Sequence, residues 1–196
     1  HINFVFVIAP NSDYRNWKKE IDFHCPEPTN IYIWKVTKDK TFKLDPNKLT
    51  FILMNVEALS HASGKKWLEY KLLKHGNQSM VIVDESTTIK NLKASRTKAI
   101  IKLGKLVKEK GATPLEAPVS GGCHRAATGN IAIFVGGERN AFDRVLPILT
   151  CMGKKILYVG ELGSASILKV ITNYLASVNL AALGEAWTIA KKNNLD

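Results

Sequence analysis

Four short runs, FVFVIAP (4–10), IYIW (31–34), FILMN (51–55) and MVIVD (80–84), are apolar without the polar alternation of a half-exposed strand. A strand with no polar face must be covered on both sides, and a parallel sheet clothed by helices provides that cover. Stretches with helical spacing lie between the runs, RNWKKEIDF (15–23) and GKKWLEYKLLKHG (64–76), and they supply the covering helices. Thr87 to Lys110 is helix-compatible and strongly basic, with Ile100, Ile101, Leu103, Leu106 and Val107 as an apolar stripe. The first half is therefore expected to be α/β around a mainly parallel sheet.

After Gly111 the texture changes. TPLEAPVSGG (113–122) reads as a short strand broken by Pro118 and opened by a glycine pair, and NIAIFVGG (130–137) and KILYVG (155–160) are two further strands with a helix around 139–152 between them. These strands are expected either to extend the first sheet or to form a separate meander. Residues 163–196 are apolar around most of a helical circumference, which predicts a long C-terminal helix buried on nearly all sides. Lys169, Asn173, Asn179 and Glu185 make it too polar for a membrane span.

The formal charge of +11 over 196 residues is the unusual feature of the composition. Most of the excess, +8, falls in residues 1–106 and only +3 in 107–196, scattered as on a solvated face yet suited to a polyanion such as DNA. Cys25, Cys123 and Cys151 are far apart, and Cys123-His124 has no neighbours to complete a metal site. Reduced intracellular thiols fit that spacing. HINFVFVIAP lacks the basic start and cleavage site of a signal peptide, so a cytoplasmic location is expected. The chain starts with His and opens at once on a strand, as if in the middle of a larger protein.

FVFVIAPNSDYRNWKKEI (4–21), LMNVEALS (53–60) and VIVDESTTIKNLKASRTKAIIKLG (81–104) together resemble the first RecA-like lobe of superfamily-two helicases, especially Swi/Snf-type DNA translocases, over residues 3–105. That resemblance implies Asp84 as the Mg²⁺ ligand and Glu85 as the group polarising the attacking water of a Mg-ATP site. It also implies Asn11, Ser12 and Lys18 as phosphate contacts to DNA. Without it, Asp84-Glu85 simply end a strand and cap the next helix. No G-x-x-x-x-G-K-[ST] loop is present to cradle the β- and γ-phosphates.

APVSGG (117–122), followed by GSASILKVITN (163–173), closely resembles 3-hydroxyisobutyrate dehydrogenases and the wider β-hydroxyacid dehydrogenase group over residues 105–196. Lys169 and Asn173 are four apart and share one helix face. A buried lysine has a depressed pKa, which suits proton exchange with a hydroxyl. The resemblance implies that role for Lys169, substrate binding by Asn173, and a carboxylate site at Ser120, Gly121 and Gly122. It implies NAD or NADP as cofactor and a small 3-hydroxy acid as substrate. The glycines of residues 1–104, at 64, 76 and 104, are isolated, so the G-x-G-x-x-G loop of dinucleotide-binding domains is missing.

VDESTT (83–88) is where the two likenesses overlap, because a dehydrogenase tolerates a similar turn shortly before its own LVKEKGA segment. The chain is accordingly expected to be a composite: a partial helicase-like lobe over 1–105, the end of a Rossmann-type domain over 106–160 and the start of a helical domain over 161–196. The two parts would meet near Lys102–Lys108. With both nucleotide loops missing, neither activity is expected of the isolated chain.

Overall fold

Val7, Ile8 and Ala9 have no measurable exposure, because their strand runs down the middle of a sheet covered on both faces. The computed structural model describes residues 2–35, 47–84 and 93–195. The chain divides into two compact units, His1–Ala112 and Thr113–Asp196.

In the first unit, β1 (Phe4–Ala9), β2 (Asn30–Ile33), β3 (Thr50–Asn55) and β4 (Ser79–Val83) form a wholly parallel sheet in the order β2-β3-β1-β4. Phe6 and Ile8 face Leu68 and Leu72 of α2 (Ala62–His75) and Leu103 of α3 (Ser95–Glu109). Val5, Val7 and Ala9 face Trp17 and Ile21 of α1 (Tyr14–His24). The absence of polar alternation in β1 is thus explained by helices on both sides. α3 turns Ile100, Leu103 and Val107 to the core, whereas Ile101 is 46% exposed and stands outside the expected stripe. α3 runs unbroken through the joint expected near Lys102–Lys108.

The second unit builds its own sheet. β7 (Ala132–Gly137) lies between β8 (Lys155–Gly160), which it pairs in parallel, and two dipeptide strands on its other side. These are β5 (Leu115–Glu116) and β6 (Val119–Ser120), both antiparallel to β7. Ala117-Pro118 separates them, as expected from a proline that cannot donate to the ladder. α5 (Arg139–Met152) packs Phe142 and Leu149 onto Ile133 and Val135, and the short α4 (Gly122–Ala127) follows β6.

The C-terminal helix, α6 (Ser164–Lys192), corrects an expectation. It is not buried on nearly all sides: Ala165 is its one buried residue, and Val170, Leu180 and Leu183 are about two-thirds exposed. Half-buried positions end at Thr172, apart from Ala190, because only the first turns reach β7 and β8. By length and hydropathy (29 residues, 1.3 over an 18-residue window) α6 could cross a membrane. The core helix of a soluble protein has the same all-round apolarity, so composition alone does not place it in one.

Gly64 lets α2 press against the 3₁₀ turn Val56–Ser60, since a Cβ there would come 2.3 Å from the Ala58 carbonyl oxygen. Gly64→Ala should therefore destabilise the chain by about 1–3 kcal/mol, as over-packing does, measured by urea unfolding with tryptophan fluorescence. His75, tilted by 41° against the ring of Phe4 with centroids 4.6 Å apart, has its pKa pushed below the ordinary 6.5 by burial and then by Lys74 and Lys71. The unfolded chain then takes up a proton that the folded chain resists. Stability is unaffected by this group above about pH 6.5 and falls on acidification through the folded value. The urea midpoint of the wild type should drop more than that of His75→Gln between about pH 7 and about pH 5.

Candidate functional site

β6 delivers Ser120 to the end of its pairing with Ala132, and the chain then turns through two glycines. Gly121 has φ 143° and Gly122 φ 68°, conformations that side chains with a Cβ rarely adopt. The stem of Arg125 closes over Gly121, lying 3.0–3.6 Å from where a Cβ would be. Gly122 is exposed, while Ser120 and Gly121 are half-buried. The turn therefore presents open backbone at Gly122, a geometry suited to holding a small anion by N–H groups.

Lys169 and Asn173 lie on the stripe of α6 that starts at Ala165, one turn apart from each other. Lys169 is half-buried rather than buried, and Asn173 is exposed. The expectation of a desolvated lysine fails because the helix is covered only near its start. Their backbone carbonyls accept hydrogen bonds from Thr172 and Ser177.

Glu116 was not anticipated from the sequence. Its Oε1 accepts hydrogen bonds from the backbone N–H groups of Gly163 and Ala165, each at 2.7 Å, and its Oε2 accepts one from Ser166 Oγ at 2.5 Å. The N-cap of α6 is Gly163, which has no side chain to cap with, so this distant carboxylate takes over the task. Such caps are worth about 0.5–2 kcal/mol, and negative charge there is favoured by the helix dipole. The available signal was an acid inside a strand, four residues before Ser120.

The other candidates lie in the first unit. Asp84 extends the β4 ladder by donating its N–H to the Ile8 carbonyl at 2.8 Å, and its Oδ2 accepts the Trp17 indole N–H at 2.7 Å. Its carboxylate is thus engaged by α1. Glu85 lies outside the described residues. Lys18 pairs with Asp22 at 2.5 Å, while Asn11 and Ser12 are exposed. Asn11 borders a cavity of about 350 Å³ at the carboxyl ends of β2 and β3, with Trp34, Lys35, Asn55, Glu57 and His61. Among the described residues no three His, Cys, Asp or Glu groups gather as metal ligands.

This edge is also where a parallel sheet would hold a dinucleotide, and among the described residues the turn after β1 does not fit a diphosphate. The turn after β1 is Pro10-Asn11-Ser12-Asp13, without glycine and with an acid at the N-cap of α1. The proline has no N–H, and the acid opposes an anion.

Comparison with known proteins defines the family. Residues 31–160 match the model of the NAD-binding domain of 6-phosphogluconate dehydrogenase. The chain belongs to that family, and its parallel, helix-covered sheet is the Rossmann-like α/β architecture that membership entails. It is 34% identical over 109 residues to 2-(hydroxymethyl)glutarate dehydrogenase of Eubacterium barkeri, covering 56% of this chain and 36% of that protein. It is 32% identical over 142 residues to the mitochondrial 3-hydroxyisobutyrate dehydrogenase of Rattus norvegicus, covering 72% and 38%. The chain thus spans under two-fifths of the length of these two relatives. The structure of Mycobacterium tuberculosis 3-hydroxyisobutyrate dehydrogenase with L-serine shares the fold, with a TM-score of 0.57 at 18% identity over the whole of this chain and 67% of that one.

The matched segment begins inside the helicase-like stretch and passes the joint expected near residue 105 without interruption. These comparisons give no support to a helicase lobe, to ATP, Mg²⁺ or DNA as ligands, or to an inert chain. Nor does family membership assign the cytoplasm, since the rat relative is mitochondrial.

Cys25 has its thiol pKa raised by burial and then by the charge of Asp22, whereas Cys123 and Cys151 are exposed. Iodoacetamide should therefore label Cys25 last, as peptide mass spectrometry would show.

Proposed function

We propose that residues 113–196 are the substrate-binding portion of an NAD(P)-dependent dehydrogenase acting on a small 3-hydroxy acid. The observation that carries this reading is the Ser120-Gly121-Gly122 turn, whose two positive-φ glycines follow directly on a hydroxyl and of which Gly122 is exposed. Support comes from the relatives. 3-Hydroxyisobutyrate and 2-(hydroxymethyl)glutarate, the compounds for which two of them are named, share the unit HOCH₂–CH(R)–COO⁻ and differ in R. A site for both must hold one carboxylate and one primary hydroxyl.

The chain's residues divide those tasks. The Ser120 hydroxyl and the N–H groups of Gly121 and Gly122 hold the carboxylate by charge-assisted hydrogen bonds. Lys169 faces the hydroxyl and exchanges its proton, the acid–base work for which a lysine amine is suited. The Asn173 amide, one turn further along the helix, fixes the hydroxyl-bearing carbon. The cofactor is NAD or NADP, and among the described residues the turn after β1 does not provide its diphosphate cradle.

Titration of the ¹⁵N-labelled chain with 3-hydroxyisobutyrate is expected to shift the amide signals of Gly121, Gly122 and Lys169 with one common Kd. Lys169→Ala should weaken binding by about 10–100-fold, the loss of one charged hydrogen bond. A wild-type spectrum untouched by the ligand at Gly121 and Gly122 would refute the reading.

A further inference from the structure

The two halves of the proposed site come from distant parts of the sequence. The Ser120-Gly121-Gly122 turn follows β6, and Lys169 and Asn173 sit on α6. One side chain joins the two segments. Glu116 belongs to the same stretch as Ser120, and that stretch is fixed along β7 at both ends. Leu115 and Glu116 pair with Gly137 and Gly136, and Val119 and Ser120 pair with Ile133 and Ala132. Between them the Pro118 carbonyl accepts the Phe134 N–H at 3.0 Å. The separation from Glu116 to Ser120 is therefore set by a paired backbone rather than by a loop.

From that fixed point the carboxylate reaches the first turn of α6. It accepts three hydrogen bonds, from Gly163 N, Ala165 N and Ser166 Oγ, at 2.7, 2.7 and 2.5 Å. Two backbone N–H groups bound to one oxygen define both the height and the axial rotation of a helix start. Ala165, whose N–H is one of the two, heads the stripe that continues at Lys169 and Asn173, about 6 and 12 Å further along the axis. Lys169 is thus only three residues past the last group that Glu116 holds.

The space around the carboxylate is equally constrained. A Cβ on Gly136 would come 2.5 Å from Glu116 Oε1 and 2.9 Å from the Glu161 carbonyl. The glycine leaves room for the carboxylate to lie flat against β7. Gly160 and Gly163, with φ of 119° and 106°, take the turn from β8 into α6. A turn of that kind has little steric preference of its own, so the helix start is oriented by the carboxylate together with the packing of the buried Ala165.

We propose that Glu116 is a positioning residue of the substrate site: its carboxylate fixes α6 against the strand segment that carries Ser120, and so sets where Lys169 and Asn173 stand relative to the Ser120–Gly122 turn. The inference rests on the substrate reading above for its ligand, but the clamp itself can be tested without one.

The test uses the whole chain as wild type, Glu116→Gln and Glu116→Ala. The glutamine variant keeps an acceptor for the two backbone amides and guards against loss of the fold. The first readout is amide hydrogen exchange. Glu116→Ala is expected to speed exchange at 166–170 at least tenfold while leaving Ile133–Val135 unchanged, with Glu116→Gln recovering much of the protection. The second readout is titration with 3-hydroxyisobutyrate. In Glu116→Ala the ligand is expected to keep shifting Gly121 and Gly122 while the shifts at Lys169 and Asn173 collapse, with Kd raised about tenfold. A residue that served stability alone would weaken both halves together. Unchanged exchange at 166–170 in Glu116→Ala overturns the clamp. Altered exchange with an undiminished ligand response at Lys169 overturns the positioning role. If the wild type itself does not bind, the substrate reading fails and the positioning role falls with it, while the exchange result still reports whether the clamp exists.

Discussion

Backbone pairing along Ala132–Gly137 is the constraint on which the second unit depends. That one strand holds β8 on one side and the two dipeptide strands on the other, and its Ile133 and Val135 are buried against α5. A strand of two residues has little stability of its own. Leu115–Glu116 and Val119–Ser120 exist as strands because β7 offers them N–H and C=O partners that would otherwise be unsatisfied. Gly136 and Gly137 complete the arrangement through close approach, since side chains there would strike Glu116, Leu115 and Pro114. The Ser120 turn and the start of α6 both inherit their positions from this strand, one through pairing and the other through Glu116.

The first unit obeys a different logic. Its four parallel strands are covered on two faces, and the carboxyl edge is where such a sheet exposes polar groups. Among the described residues, what stands there is not a phosphate cradle. Asp84, which a nucleotide hydrolase would keep for its metal, accepts the indole N–H of Trp17. The turn after β1 sets a proline and an acid where a diphosphate needs backbone N–H groups. Family membership from residue 31 onward therefore coexists with a turn after β1 that lacks the glycine-rich feature by which dinucleotide-binding domains are read from sequence.

Much of the fold was legible because it follows from local rules. The continuous apolar runs near 4–9, 50–55 and 79–83 became the parallel strands, and Pro118 interrupted its strand where a missing N–H requires it. The helix expected around 139–152 is α5. Three things were not legible, each for a physical reason. An all-round apolar helix shows that something should cover it but not whether the chain itself does, and most of α6 stays exposed. The desolvation expected at Lys169 depended on that cover and failed with it. Glu116 acts across 47–50 residues of sequence, a contact that no periodicity or capping rule within one segment can reveal. The Ser120-Gly121-Gly122 turn was readable because glycine pairs signal their own backbone geometry.

The distribution of charge sharpens the contrast between the two units. The basic excess lies mainly in the first unit, whose helices α2 and α3 carry lysines in ion pairs and hydrogen bonds to each other's acids and hydroxyls, as Lys102 does to Glu69 and Lys65 to Ser95. Exposed pairs of this kind contribute little energy and speak for a solvated face rather than a groove shaped to one ligand. In the second unit the polar groups are fewer and differently used. Glu116 is committed to the helix start, Arg139 to Asp143 and to the rings of Phe142 and Tyr158. Among the described residues, the side chains of the candidates Ser120, Lys169 and Asn173 make no hydrogen bond that holds the sheet or α6 together. Under the proposed reading, these side chains turn to a small hydroxy acid without giving up a hydrogen bond that holds the fold.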